Sequence, residues 1–175
     1  MEKSLSVSEQ PVALVTGASS GIGAAYARAL AAGGYWVILV GRNHPKLLAV
    51  QKETGGEILI ADLATDLGLR ALEYRVQSED RLDFLVNNAG FGTAGKFWEA
   101  SLTGQDAMHR VHVLGTMRLT GAALPRMVRR NPRQYRQCFE CGRLDAHSGL
   151  NQLFRYQSLD EQLYRRPLAG AEKRP

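Results

Sequence analysis

Short apolar runs alternate with segments of helical period over the first 130 residues of this chain. The runs VALVT, WVILVG and LDFLV contain almost no polar residues, and a turn separates each one from the periodic segment that follows it. An apolar run without alternation is typical of a strand that is covered on both faces. The pattern therefore predicts a parallel sheet with helices on each side.

The same pattern sets the bounds of the elements. Strands are expected at 12–16, 36–41, 57–62 and 82–90, and helices at 21–32, 44–54, 65–78 and 103–130. Gly33-Gly34 would end the first helix and Pro132 the last one. Thr65 or Asp66 would begin the third. The fold class is α/β, a Rossmann-like doubly wound parallel sheet that is truncated after the fourth strand and the following long helix.

The periodic pattern stops near residue 132, which divides the chain into three parts. Residues 1–10 are expected to form a flexible N-terminus, 11–132 one folded domain, and 133–175 an aberrant tail that is disordered or poorly packed. The net charge of +5 at pH 7 is carried unevenly. The domain is close to neutral, so nucleic acid is not an expected partner. No window approaches the roughly 20 apolar residues of a membrane span, and the amino end lacks a signal-peptide core. A cytoplasmic protein that does not bind membranes is expected.

Both cysteines lie in the tail, as the pair Cys138 and Cys141. A Cys-x-x-Cys pair is found in zinc and redox sites. There is no second pair, and His147 would complete only three ligands. No metal site is expected.

The first strand runs into TGASSGIG, residues 16–23, where the first helix begins. Its glycines are spaced more loosely than in the commonest dinucleotide fingerprint, G-x-G-x-x-G. Because strand, glycine turn and helix follow directly, the start of the helix would offer free backbone N–H groups and a partial positive charge to a pyrophosphate. The turn therefore predicts dinucleotide binding, with a tight turn that binds nothing as the alternative.

The end of the second strand separates NAD from NADP. An Asp or Glu about 20 residues past the glycine turn would hold the ribose 2′-hydroxyl of NAD. This chain has Gly41-Arg42-Asn43 there. Arg42 would instead bind a 2′-phosphate through charge-assisted hydrogen bonds. NADP is expected rather than NAD, with a solvated loop charge as the alternative role for Arg42.

Three motifs together resemble the short-chain dehydrogenase/reductase family. They are TGASSGIG at 16–23, Asp62-Leu63 after the third strand and NNAG at 87–90. The resemblance runs from Pro11 to Pro132, roughly the first half of a family domain, and implies that this part binds a dinucleotide. Together with Arg42, the predicted cofactor-binding residues are Gly17, Ser19, Ser20, Gly21, Ile22, Gly23, Asp62, Leu63, Asn88, Ala89 and Gly90.

The resemblance also implies a role for each group. Ser19, Ser20 and Ile22 would line the phosphate turn, and Asp62 and Leu63 would flank the adenine. Asn88, Ala89 and Gly90 would border the nicotinamide ribose. Asn87 would tie the fourth strand to its neighbours. The long helix usually offers an Asn to a water relay where this chain has His112, for which a packed or solvated helix histidine is the alternative.

Members of the family reduce carbonyls or oxidise alcohols of small molecules by hydride transfer, and full-length relatives are expected to be homo-oligomers. Their proton transfer depends on a Ser and a Tyr-x-x-x-Lys segment. This chain has no such segment, since no tyrosine is followed four residues later by lysine. No catalytic residue is therefore assigned. Whether the chain is an enzyme stays open.

A shifted reading frame would explain the tail. In this frame, each codon would consist of the last two bases of one codon of the present chain and the first base of the next codon. The junction of Glu140 and Cys141 then permits Ser, that of Leu153 and Phe154 permits Tyr, and that of Gln157 and Ser158 permits Lys. These junctions have the family's spacing. The resemblance places a fifth strand beside the fourth in the lost segment. We therefore expect four strands in the order 3-2-1-4, with LDFLV as a bare apolar edge that favours aggregation.

Three functions follow as candidates. The first is an NADP-dependent oxidoreductase of this family that is inactive in the present chain. The second is a non-catalytic NADP-binding or interaction protein that uses its tail. The third is a metal- or nucleic-acid-binding tail on a Rossmann-like half.

Overall fold

The computed structural model describes residues 10–130 in full and the backbone of residues 136–139. Five strands form one parallel sheet in the order β3-β2-β1-β4-β5. The strands are β1 (Val12–Thr16), β2 (Trp36–Gly41), β3 (Glu57–Ile60), β4 (Leu82–Asn87) and β5 (Arg136–Phe139). The helices are α1 (Gly21–Ala32), α2 (His44–Thr54), α3 (Asp66–Ser78), α4 (Leu102–His109) and α5 (Thr116–Arg130). The predicted α/β class with a parallel Rossmann-like sheet is confirmed.

The sheet is covered on both faces because successive strand residues point to opposite sides. Val12 and Leu14 of β1 pack in one core with apolar residues of α3 and α5. Ala13 and Val15 pack in a second core with residues of α1 and α2. This double burial is the reason that the strands are continuously apolar.

Two strands are shorter than predicted. The sequence gives no break before residue 62, yet β3 ends at Ile60, and the Asp62 carboxylate accepts a hydrogen bond from the Ala64 N–H at 2.9 Å, which forms a turn. The strand β4 ends at Asn87 instead of residue 90, because the next two N–H groups are bound to the Thr16 side chain. The apolar pattern does not register such side-chain hydrogen bonds.

The long helix predicted at 103–130 consists of three parts. Between α4 and α5 the residues Arg110–Gly115 form a π-helical segment. The buried residues of the π-helical segment and of α5 are spaced four apart along the chain: Val111, Gly115, Leu119, Ala123 and Met127. The other apolar residues Met108, Leu114 and Ala122 are only partly buried.

A row of ion pairs joins the π-helical segment and α5 to α3 and the turn after it. Arg110 pairs with Asp66 at 2.9 Å, Arg118 with Glu73, and Arg126 with Asp80. Hydrogen bonds to Asp106 and Asp66 raise the pKa of the Arg110 guanidinium above its usual range. These pairs run beside the contact between α3 and α5, whose apolar sides pack in the same core.

The fourth strand is not the edge of the sheet. Residues Phe84–Asn87 of β4 pair in parallel with Arg136–Phe139, with Leu85 opposite Gln137. The expectation of four strands and a bare LDFLV edge is therefore wrong, because the backbone of a four-residue segment of the tail is able to satisfy that edge whatever its side chains are.

Several expectations fall outside the described residues. These are the flexibility of residues 1–9, the packing of residues 140–175, and the roles of Pro132, Cys141 and His147. Within residues 10–130 and 136–139, no helix has the length and the apolar character to cross a membrane.

Candidate functional site

The predicted cofactor-binding residues lie at the carboxyl ends of four neighbouring strands, on the loops that follow them and in the first turn of α1. The glycine turn follows β1, Arg42 follows β2, Asp62 and Leu63 follow β3, and residues 88–90 follow β4. The chain runs outward from β1 to β3 and then crosses to β4 on the other side of β1. Ligands of doubly wound sheets bind at such a switch point.

Close packing requires the glycines of the turn. Gly17 has a φ of 67° and Gly21 a φ of 56°, which favour glycine. A Cβ at Gly17 would lie 2.7 Å from Asn88 Nδ2, and one at Gly23 would collide with Asn88 Nδ2 and the Gly17 carbonyl oxygen. At Gly21 a Cβ would meet nothing within 4 Å. The turn is thus packed against Asn88 on its inner side and open at its tip.

The first helix begins without a side-chain cap. Asn43, Thr65 and Ser101 each accept a hydrogen bond from the first turn of α2, α3 and α4. Ser20 holds the same position at α1 and makes no such bond. The first N–H groups of a helix need a partner, so this terminus suits an anion held over the exposed Ser20, Gly21 and Ile22. A pyrophosphate fits this cradle.

Thr16 and Asn88 join β1 to β4 beneath the turn. The buried Thr16 hydroxyl donates to the Val86 carbonyl at 3.2 Å and accepts from the N–H groups of Asn88 and Ala89, both at 2.9 Å. Asn88 Nδ2 donates in return to the carbonyl oxygens of Thr16 at 2.9 Å and Gly17 at 3.3 Å. These bonds set the position of the glycine turn relative to β4.

Asn87 joins β4 to a neighbouring helix. Its Nδ2 lies 3.3 Å from the Thr120 hydroxyl oxygen on α5. The side chain that binds a neighbouring strand is Asn88. The Oδ1 atoms of both asparagines are buried and have no hydrogen-bond partner among the described residues.

Arg42 contacts the two loops on either side of it. One of its Nη atoms lies 3.5 Å from an Asp62 carboxylate oxygen, and its guanidinium carbon lies 6.0 Å from the centre of the Phe91 ring. Ala89 is half-buried and Gly90 exposed. Leu63, by contrast, is buried in the core, and a Cβ added at Gly115 would lie 3.9 Å from its Cβ. Its side chain anchors the loop after β3 in the core.

His112 belongs to the π-helical segment and reaches the loop after β4. Its Nε2 lies 3.0 Å from the Phe91 nitrogen and 2.8 Å from the Phe91 oxygen. The tautomer of His112 decides whether Nε2 accepts from the N–H or donates to the carbonyl. Either bond ties the π-helical segment to the end of NNAG.

Two residues of the site escaped the sequence analysis. Thr16 opens the TGASSGIG motif, but only its buried neighbours reveal that its hydroxyl serves three backbone groups. Phe91 directly follows NNAG, and an aromatic side chain beside a binding motif is a usable signal. Its contacts with Arg42 and His112 depend on the fold.

The sheet order, the glycine turn and the uncapped helix define a Rossmann-like dinucleotide-binding protein. The family model described as short chain dehydrogenase matches residues 11–133. The chain belongs to the short-chain dehydrogenase/reductase family, whose members are oxidoreductases that act on small molecules.

Solved structures and curated proteins agree with this assignment. A short-chain dehydrogenase from Sphingobium yanoikuyae in complex with NADPH superposes with a TM-score of 0.65 at 36% identity, over 69% of this chain and 49% of that one. An uncharacterized oxidoreductase of Mycobacterium tuberculosis is 42% identical over 118 residues, which are 67% of this chain and 46% of the relative. An NADP-dependent 3-hydroxy acid dehydrogenase of Salmonella typhi is 34% identical over 124 residues, 69% of this chain and 50% of the relative. The chain spans about half the length of the curated relatives it matches.

Proposed function

We propose that this chain binds NADP as the cofactor-binding half of a short-chain dehydrogenase/reductase and does not itself catalyse hydride transfer. The observation that carries the proposal is the start of α1, which lacks a side-chain cap although the three helices after it each have one. A relative named as NADP-dependent and a similar structure in complex with NADPH support the choice of cofactor.

The described residues divide the work of binding among them. The pyrophosphate would be held at the start of α1 by Ser19, Ser20, Gly21, Ile22 and Gly23, with Gly17 beneath them. Arg42 would hold the 2′-phosphate. Asp62 and the backbone of Leu63 would flank the adenine, and Asn88, Ala89 and Gly90 would border the nicotinamide ribose. When bound, NADPH would supply a hydride for carbonyl reduction, or NADP would accept one in alcohol oxidation.

Proton transfer is the step for which this chain lacks residues. An acid with a lysine that lowers its pKa typically contributes about 10²–10⁴-fold to such a reaction. None of the tyrosines of this sequence has a lysine four residues later. Binding without turnover follows from this proposal, which also accommodates a non-catalytic NADP-binding or interaction protein.

Calorimetric titration of the full chain with NADP and NAD tests the binding. We expect NADP to bind more tightly, and Arg42→Met to weaken NADP by about 10- to 100-fold, the worth of a charge-assisted hydrogen bond, while NAD changes little. Arg28→Met, at an exposed site on α1, is the matched control. A folded chain that binds neither dinucleotide at millimolar concentration contradicts the proposal.

The absence of turnover has its own test. NADPH consumption with a panel of aldehydes and ketones should stay at the background rate for this chain. The shifted frame is tested on the gene itself, by sequencing across the codons of residues 133–165. If no shifted frame encodes the Ser and the Tyr-x-x-x-Lys segment, that explanation of the tail is wrong. Turnover by the unchanged chain would contradict the proposal that it lacks the residues for proton transfer.

A further inference from the structure

Arg42 contacts both a carboxylate and an aromatic ring. Asp62 follows β3 and Phe91 follows β4, so the two partners approach the guanidinium from opposite loops. The ion pair with Asp62 has a length of 3.5 Å and the ring centre of Phe91 lies 6.0 Å away. The side chain of Arg42 is nevertheless 64% exposed, so a ligand is able to reach it.

We infer that Phe91 and Asp62 set the preference of this site for a 2′-phosphate. Arg42 exchanges the Asp62 carboxylate for the 2′-phosphate of NADP, while Phe91 holds the guanidinium in both states. The inference rests on the proposed function, since it concerns the same cofactor site. Phe91 is thus a positioning residue, and Asp62 is a competitor for Arg42.

The chemistry of the three groups favours such an exchange. A cation held by the face of a ring keeps its N–H groups free to donate in the plane of the guanidinium. Phosphate matches that fork of donors and carries more charge than a carboxylate. The Asp62 Oδ1 atom stays bound to the Ala64 N–H at 2.9 Å, so the loop keeps its turn when Arg42 leaves.

The two residues have opposite expected effects. Phe91→Leu removes the aromatic face and should lower the preference for a 2′-phosphate by about two- to fivefold, as for an exposed cation–π contact. Asp62→Asn removes the competing charge but keeps an oxygen for the Ala64 N–H. It should raise the preference by about two- to fivefold, as for an exposed ion pair.

Two fragments isolate this preference from the rest of the cofactor. Adenosine 2′,5′-bisphosphate and adenosine 5′-monophosphate differ only in the 2′-phosphate, and calorimetry on the full chain gives the ratio of their dissociation constants. The ratio compares two ligands on the same folded molecules, so a partly unfolded variant does not distort it. Phe91→Tyr keeps an aromatic face and should restore the ratio.

Two residues outside the cofactor site provide matched controls. Phe97→Leu changes an exposed phenylalanine of the loop after β4, and Asp66→Asn removes the partner of Arg110. Neither should move the ratio.

The outcomes separate the inference from the proposed function. If the unchanged chain prefers the bisphosphate but Phe91→Leu and Asp62→Asn leave the ratio as it was, the inference alone is wrong. If Phe91→Leu does not fold, the increase expected for Asp62→Asn decides. Failure of the unchanged chain to bind NADP, NAD or either fragment overturns the inference together with the proposed function.

Discussion

Asn88 is the residue at which the glycine turn, β1 and β4 meet. Its amide donates to two carbonyls at the end of β1, and both Gly17 and Gly23 leave room for it. The glycines therefore make space for an amide that braces the turn. A side chain added at this place should disturb both folding and binding.

Gly23→Ala tests the bracing. The added Cβ would collide with Asn88 Nδ2 and the Gly17 carbonyl oxygen, so we expect a loss of about 1–3 kcal/mol in the free energy of unfolding, as for other overpacked sites. NADP binding should weaken as well. Gly121→Ala is the matched control, because a Cβ there has nothing within 4 Å and the helical position should gain about 0.5–1 kcal/mol. Urea denaturation measures both, and equal effects of the two variants would contradict the bracing.

Thr16→Val tests the hydroxyl beneath the turn. The valine has the same shape but leaves one carbonyl and two N–H groups of the β4 end without their partner. Since Thr16 is only 1% exposed, we expect a loss of about 1–3 kcal/mol in the free energy of unfolding. Thr103→Val, at an exposed position of α4, should change it by much less. Similar values for the two valine variants in urea denaturation would contradict this role.

At the scale of elements, arginines on the helices pair with carboxylates of neighbouring helices and strands. Arg28 of α1 is paired with Glu53 of α2 at 2.5 Å, and Arg75 of α3 binds Glu57 of β3 at 2.9 Å. Hydrogen bonds from Arg28 lower the pKa of the Glu53 carboxyl below its ordinary value of 4.5. A carboxyl group whose pKa is lowered by folding stabilises the fold when ionised.

The Arg28–Glu53 pair should make stability depend on pH. Its contribution is fully present above the ordinary pKa of 4.5 and is lost as the pH falls through the lower pKa of the folded state. Glu53→Gln should therefore lower the melting temperature slightly at pH 7 and by less at pH 3. Arg28→Met combined with Glu53→Gln should lower it no further than Glu53→Gln alone. A difference between wild type and Glu53→Gln that grows toward pH 3 would contradict the pairing.

At the scale of the whole molecule, a strand from the C-terminal part of the chain covers the edge of the sheet beside β4. Residues Arg136–Phe139 pair with Phe84–Asn87 and cover that edge. The covering segment comes from the part of the chain in which the family match has ended, at residue 133. The sheet thus continues one strand beyond the recognisable domain.

Truncation tests this edge. A chain that ends at Asn131 lacks β5 and should expose the backbone of β4, with a lower melting temperature and aggregation during size-exclusion chromatography. A chain that ends at Gly142 keeps the strand and should behave like the full chain. If the shorter chain is a stable monomer with the melting temperature of the longer one, β5 does not protect the edge.

The elements that local pattern controls were predicted to the residue. β1, α1, β2 and α2 have the bounds that the sequence predicts, because an apolar run, a cap such as Asn43 and a glycine such as Gly55 act within a few residues of each other. The ends of β3 and β4 were misplaced because side chains compete there with the sheet for backbone groups. At the end of β3 the side chain is the local Asp62, and at the end of β4 it is Thr16, which is distant along the chain.

The sequence by itself determined the class of fold, the glycine turn and the place of Arg42, because these depend on the order and spacing of neighbouring residues. The tertiary structure alone decided that Asn88 braces the turn, that Phe91 and Asp62 meet at Arg42, and that residues 136–139 continue the sheet. Each of these contacts joins strand ends that are far apart along the chain. Their geometry follows from the order of the strands in the sheet, which the local hydrophobic pattern does not encode.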